Sequence, residues 1–356
     1  GYSTTDGALG EVSIAERNFL GRGLFAKASV QYGQYARGYS LSFVEPYLLD
    51  YRVALGLDVY QRTQLQNQYI QYGTKTLGFS PRLGFQLRED LSLQLRYSLY
   101  QQEITLPDTL RNPATTTISL PVLMELNQGA ALTSMVGYTL TYNTLDNNKN
   151  PTDGLLIDWK QDFAGVGGDV SYFKSSIDAK YYTPLVSDIV GIIRLQGGIL
   201  NKVGNNEIRM LDHFQMGPNL VRGFAPNGIG PRDISLWNTY GYGDALGGTQ
   251  YWGASVELQM PFWFLPKEVG LKGAIYADAG QLTGYKGPPY PGVGVPAALA
   301  ARTFTPFDDE VVRSSVGVGL IWQSPFGPLR FDYAVPLTKG KYDRVQEFRF
   351  GGGTTF

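Results

Sequence analysis

Leu91-Ser-Leu-Gln-Leu-Arg-Tyr-Ser-Leu-Tyr100 alternates apolar and polar residues almost without a break. A period of two sends successive side chains to opposite faces of a strand. Leu91, Leu93, Leu95, Tyr97 and Leu99 take one face, and Ser92, Gln94, Arg96, Ser98 and Tyr100 the other. The same rhythm sets Leu24, Ala26, Ala28, Val30 and Tyr32 against Lys27, Ser29 and Gln31, and Leu329, Phe331, Tyr333 and Val335 against Arg330 and Asp332. Fifteen such segments are expected, at 7–16, 24–33, 38–45, 52–61, 69–79, 91–103, 130–142, 154–162, 170–183, 189–201, 249–260, 270–281, 312–323, 328–335 and 346–356. Most are about ten residues long, the length a tilted strand needs to cross a bilayer. No amphipathic helix is expected between them.

The connections carry a second signal. The three longest, 104–129, 202–248 and 282–311, follow the sixth, tenth and twelfth segments and so lie on one side. Those on the other side, such as 17–23, 46–51, 80–90 and 324–327, are short and rich in turn residues. Long loops outside and short turns inside are the outer-membrane arrangement. Single-chain bacterial barrels have even strand numbers, so a sixteenth strand is expected before residue 7, missing or reduced to the stub 1–3. The expected fold is all-β, a transmembrane antiparallel up-and-down β-barrel forming one domain over 1–356, with sixteen strands in the full protein and about fifteen complete here. Soluble sandwiches, propellers and solenoids also alternate. They rarely string together so many strands of transmembrane length with aromatic ends, and no fixed repeat supports a propeller.

Composition narrows the function. Aromatics make up 13% of residues, with 24 Tyr, 18 Phe and 5 Trp, and there are 44 Gly. The net charge of −1 gives no basic face for nucleic acid, which is excluded as a partner. The absence of Cys removes disulfides, thiolate zinc sites and Cys nucleophiles. No apolar run reaches the length of a transmembrane helix, and a mean hydropathy of −0.16 suits a barrel whose inner half is polar. His213 is the single His, so a Ser-His-Asp triad would have to rest on it. In a long polar loop its side chain is expected to be solvated. No G-x-S-x-G elbow, Walker A loop or dinucleotide-binding glycine motif is present. No catalytic residue, cofactor or metal site is expected.

The longest loop holds the informative motif. Val221-Arg222-Gly223-Phe224 stands within Gly217 to Pro231 among glycines and prolines that fix a compact turn. V-R-G-F before the fifth strand from the end resembles the signature of the BamA superfamily, which also holds TamA and the two-partner secretion transporters. Asn18-Phe-Leu-Gly-Arg-Gly23, Glu45-Pro-Tyr47, Tyr142-Asn-Thr-Leu-Asp146 with Pro151-Thr-Asp-Gly154, and Ser324-Pro-Phe-Gly-Pro328 resemble turns of the same family. The likeness covers nearly the whole chain, departing from the family in having no periplasmic POTRA domains and no intact first strand. It implies that the loop folds back into the lumen, where Arg222 meets acids on the inner wall. Alternation supplies two candidates: Glu257 points inward with Ser255 and Gln259, and Asp278 inward with Tyr276. On spacing alone, a solvated Arg222 with both acids lining a wet lumen is equally available.

The last segment sets Phe348, Phe350, Gly352, Thr354 and Phe356 on one face, and this resembles the recognition signal of bacterial outer-membrane barrels. Gly351, Gly352 and Gly353 interrupt it, and consecutive glycines weaken a strand. The function implied is insertion and folding of β-barrel proteins through a lateral gate between first and last strands. A TamA-like or two-partner secretion translocator and a passive porin or receptor barrel remain alternatives. The partners implied are outer-membrane lipid, unfolded outer-membrane barrel proteins as clients, and accessory assembly lipoproteins reached through periplasmic domains. The place implied is the bacterial outer membrane.

Overall fold

Each alternating segment is a strand in the computed structural model, which describes residues 1–3, 7–19, 21, 23–241, 243–287, 296–325 and 327–352. In chain order the strands begin β1 (Tyr2–Ser3), β2 (Gly7–Phe19), β3 (Leu24–Gly33), β4 (Ala36–Glu45), β5 (Val53–Gln64), β6 (Gly73–Arg88), β7 (Leu91–Thr105), β8 (Ala131–Asn143) and β9 (Gly154–Gly168). They continue with β10 (Tyr172–Pro184), β11 (Val190–Lys202), β12 (Arg232–Asp233), β13 (Gln250–Pro261), β14 (Leu271–Thr283), β15 (Pro306–Phe307), β16 (Arg313–Ser324), β17 (Gly327–Thr338) and β18 (Phe348–Gly352). Sixteen of these close a barrel in sequence order, with β18 returning to β1, while β12 and β15 pair with each other in the loops.

The faces are inverted relative to a soluble protein. Leu95, Ile193, Leu195, Val256, Ile275 and Val318 stand exposed on the outer surface. Charges pair across the inner wall, as in Arg96 with Asp162 and Arg194 with Asp178 at 2.8 Å. An apolar exterior over a paired polar interior is what hydrocarbon outside and water inside select.

Closure is thin. Tyr2 and Ser3 pair with Ala8 and Gly7 on one side and with Gly352 and Gly351 on the other. Gly1 adds a reciprocal pair of backbone bonds to Leu9, at 2.7 and 2.9 Å. By contrast, β4 and β5 hold register over ten pairs.

Three expectations need correction. The segment expected at 69–79 begins at Gly73 and runs on to Arg88, so the stretch read as a turn at 80–90 is mostly strand. Pro81 lies in that stretch, yet it pairs with Leu57 on the β5 side. Towards β7, where no register pair is recorded at Ser80 or Pro81, the Ser80 hydroxyl bonds to Ser98 at 3.2 Å. The strand expected at 154–162 continues to Gly168. A helix also appears where none was expected, α1 (Leu120–Gln128), with Pro121 in its first turn and Gly129 ending it at φ +77°. Leu120, Val122, Leu123 and Met124 pack with Ile104, Leu106, Met210, Leu246 and Leu299 in an apolar core built by loops above the lumen. A helix of nine residues buried nearly all round shows no amphipathic period to read.

Candidate functional site

The motif loop is seated by its apolar residues. Leu220 and Val221 donate backbone bonds to the Gly217 carbonyl, making a tight turn. Val221 and Phe224 are fully buried with Leu220, Ile229, Tyr172, Leu200 and Leu282. Gly223, between them, has φ +94°, and a Cβ there would stand 3.2 Å from the Ala334 carbonyl of β17. Backbone bonds run from Gln346 to Gly223 and from Ala225 to Arg344, both 2.9 Å, tying the motif to the residues just before β18. With its neighbours anchored above, Arg222 projects towards the inner wall.

There the guanidinium meets Asp278 in a fork, Nε and Nη2 each donating at 2.7 Å, while the Arg222 backbone N–H donates to the same carboxylate at 3.0 Å. Nη1 donates to Glu257 and Nη2 to the Ser255 hydroxyl at 3.0 Å. Ser255 in turn donates to Asp278 at 2.7 Å. The Arg222 guanidinium lies 3.4 Å from the centre of the Tyr276 ring. A bidentate ion pair of this kind positions both partners and satisfies the buried lone pairs. Glu257 is 8% and Asp278 3% exposed, so both carboxylates are held chiefly by protein donors.

A second arginine joins the cluster. Arg330 on β17 donates to Glu257 at 3.0 Å through Nη2 and to Asp332 at 2.8 Å through Nε. Gln259 also donates to Glu257, at 2.8 Å. A cavity of about 510 Å³ lies beside these groups, lined by Lys180, Arg194, Arg222, Glu257, Arg330 and Arg349 among others. Alternation places Arg330 and Asp332 inward, but their part in the cluster depends on reaching across β16 and β14, which the sequence pattern does not report.

The last strand contributes Phe348, half exposed on the outer face, and Phe350, whose ring centre lies 4.7 Å from Phe331 and 6.0 Å from Tyr2. Gly351 and Gly352 form the β18 side of the seam. Gly353, Thr354 and Phe356 lie outside the described residues. His213 is not solvated as expected: it is 3% exposed. Its Nδ1 lies 2.8 Å from the Arg209 carbonyl, Nε2 accepts from the Lys286 amide at 3.1 Å, and its ring stacks on Tyr285 at 4.9 Å. Burial lowers its pKa to about 4. Loop packing made a closed bridge of a residue that composition alone left in solvent.

The profile of the Omp85 superfamily domain matches residues 18–356. The outer membrane protein assembly factor BamA of Neorickettsia risticii is 30% identical over 358 residues, covering 99% of this chain and 43% of that protein. The sorting and assembly machinery component 50 homolog of Mus musculus is 26% identical over 347 residues, covering 95% of this chain and 68% of that protein. The crystal structure of BamA from Haemophilus ducreyi lacking POTRA domains 1–3 superposes with a TM-score of 0.78 at 24% identity, covering 98% of this chain and 68% of that one. The last match shows a shared fold. The chain spans less than half the length of the bacterial relative.

Proposed function

Because the chain belongs to the Omp85 superfamily, we propose that the complete protein folds and inserts β-barrel proteins in a bacterial outer membrane by parting the seam between its first and last strands. A relative named as an outer membrane protein assembly factor supports the assembly role. The observation that carries the gate is the seam itself. Among the described residues, Tyr2 and Ser3 of β1 pair with Gly352 and Gly351 of β18, and consecutive glycines weaken the strand that holds them. Unpaired backbone N–H and C=O groups on an open edge template an added strand. An unfolded barrel protein is the client such an edge accepts, its backbone pairing whatever its side chains. Lipid bathes the apolar outer face, and accessory lipoproteins are assigned to periplasmic domains outside this chain. The Arg222 cluster seats the loop and performs no covalent chemistry in this reading.

The test is a reversible lock. Ser3 and Gly351 are direct partners across the seam, and cysteines there, in a chain with no other Cys, face each other within the roughly 7 Å that a disulfide requires. In the full-length protein, oxidation should stop the assembly of unrelated outer-membrane barrels in cells while the locked barrel stays folded, and reduction should restore assembly. A fully cross-linked protein that still inserts clients at the normal rate would sink the gate.

A further inference from the structure

Glu257 stands between two arginines that each already own a carboxylate. Asp278 holds Arg222 by a fork of two 2.7 Å bonds. Asp332 holds Arg330 by a fork of 2.8 and 3.0 Å. Glu257 therefore completes neither pair and instead joins them, accepting from Arg222 and, at 3.0 Å, from Arg330. The two arginines belong to separate parts: Arg222 to the motif loop, Arg330 to the terminal hairpin of β17 and β18. Between them β16 offers a floor of glycines. A Cβ on Gly317 would stand 2.6 Å from the Tyr276 ring, and one on Gly319 2.8 Å from the Asp332 carboxylate, so larger residues would push these side chains away from the floor. The hairpin is held again at its loop end by the backbone bonds of Gln346 to Gly223 and Ala225 to Arg344.

We propose that Arg330 is a positioning residue which, through Glu257, ties the terminal hairpin to the motif loop, so that the seating of the loop sets how readily β18 parts from β1. The geometry of the tie stands by itself; its consequence for assembly rests on the gate reading above. Glu257→Gln is the clean probe, because it takes the charge out of the joint while leaving each arginine its own carboxylate. Arg330→Met cuts the same joint from the other side, and Arg330→Lys retains the charge without the fork.

The experiment uses the full-length protein in lipid nanodiscs, with nitroxides on cysteines replacing Ile14 of β2 and Phe348 of β18, which are both exposed on the outer face. Pulsed EPR then reads the populations of closed and parted seam. Glu257→Gln and Arg330→Met should each raise the ratio of parted to closed by about twofold to thirtyfold, the range of couplings carried by packed networks. The double variant should rise no further than either single one, as expected for two ends of one interaction, and Arg330→Lys should fall between. Heat-modifiable migration checks that every variant is folded. An unchanged distance distribution in Arg330→Met, or single effects that add in the double variant, overturns the tie. Client assembly is measured in parallel. Shifted seam populations with normal assembly would keep the tie and sink the assembly reading. An unshifted seam in Arg330→Met, in a protein whose locked seam blocks assembly, would do the reverse.

Discussion

Arg222 and Arg330 differ in what their loss leaves behind. Without the Arg222 side chain, Asp278 keeps the Ser255 hydroxyl and the backbone N–H of residue 222 but no cation, and a buried carboxylate stripped of its cation typically costs about 3–5 kcal/mol. Arg222→Ala should therefore lower barrel stability by about that much, measured by urea titration of heat-modifiable folding, with Arg222→Lys restoring part of it. Equal stability of all three proteins would show that the cluster holds nothing. In the cap, burial pushes the Asp212 carboxyl up to about 7, whereas the unfolded chain gives up that proton above about pH 3.9. Stability from this group is thus lost as pH rises from about 4 to 7. His213 slopes the other way: it stays neutral in the folded protein down to about 4, so stability is lost as pH falls from about 6.5 towards 4. Asp212→Asn removes the first slope alone. It should raise the melting temperature at pH 8 and leave it unchanged at pH 4, and a melting temperature unaltered at pH 8 would show that Asp212 carries no buried charge. The inward direction of Glu257, Asp278, Arg330 and Asp332 was legible in the two-residue period. That Glu257 is shared by two arginines was not, because barrel stagger decides which inward residues stand level.

Strands announce themselves here because each has one face on lipid and one on water, which writes the period directly into the residues. Leu95 and Gln94 are neighbours on opposite faces of β7, Leu95 on the exposed outer side and Gln94 lining a cavity in the barrel. An arginine at Leu95 should cost about 2–4 kcal/mol, as charges do at the midplane of barrel lipid faces, and the same change at Gln94 should cost little. Equilibrium unfolding from liposomes measures both, and matching losses would contradict the assignment of faces. Elements whose surroundings are supplied by other loops were not legible. α1 is the clearest case, since the residues that bury it come from Ile104, Met210, Leu246 and Leu299, far apart in the chain. β6 was truncated in the reading at a stretch that holds Pro81, whose missing donor the neighbouring strand accommodates.

At the scale of the molecule, inverted faces and one-sided long loops were written in the sequence, while the sixteenth strand was inferred from the even strand number of such barrels. The cap and the cluster inside it depend on loops meeting across the lumen, which no local pattern specifies. The seam has a further consequence in polymer terms. Tyr2 and Gly352 are partners although nearly the whole chain lies between them, whereas the other neighbouring strands are joined by far shorter connections. Closure entropy grows by about 0.6 kcal/mol for each doubling of the loop, so this ring costs about 3 kcal/mol more to shut than a ten-residue hairpin would. The costliest closure in the molecule thus falls at the seam. During its own folding the barrel should zip from hairpin to hairpin and join its ends last, and the contact made last is the one that thermal motion undoes first.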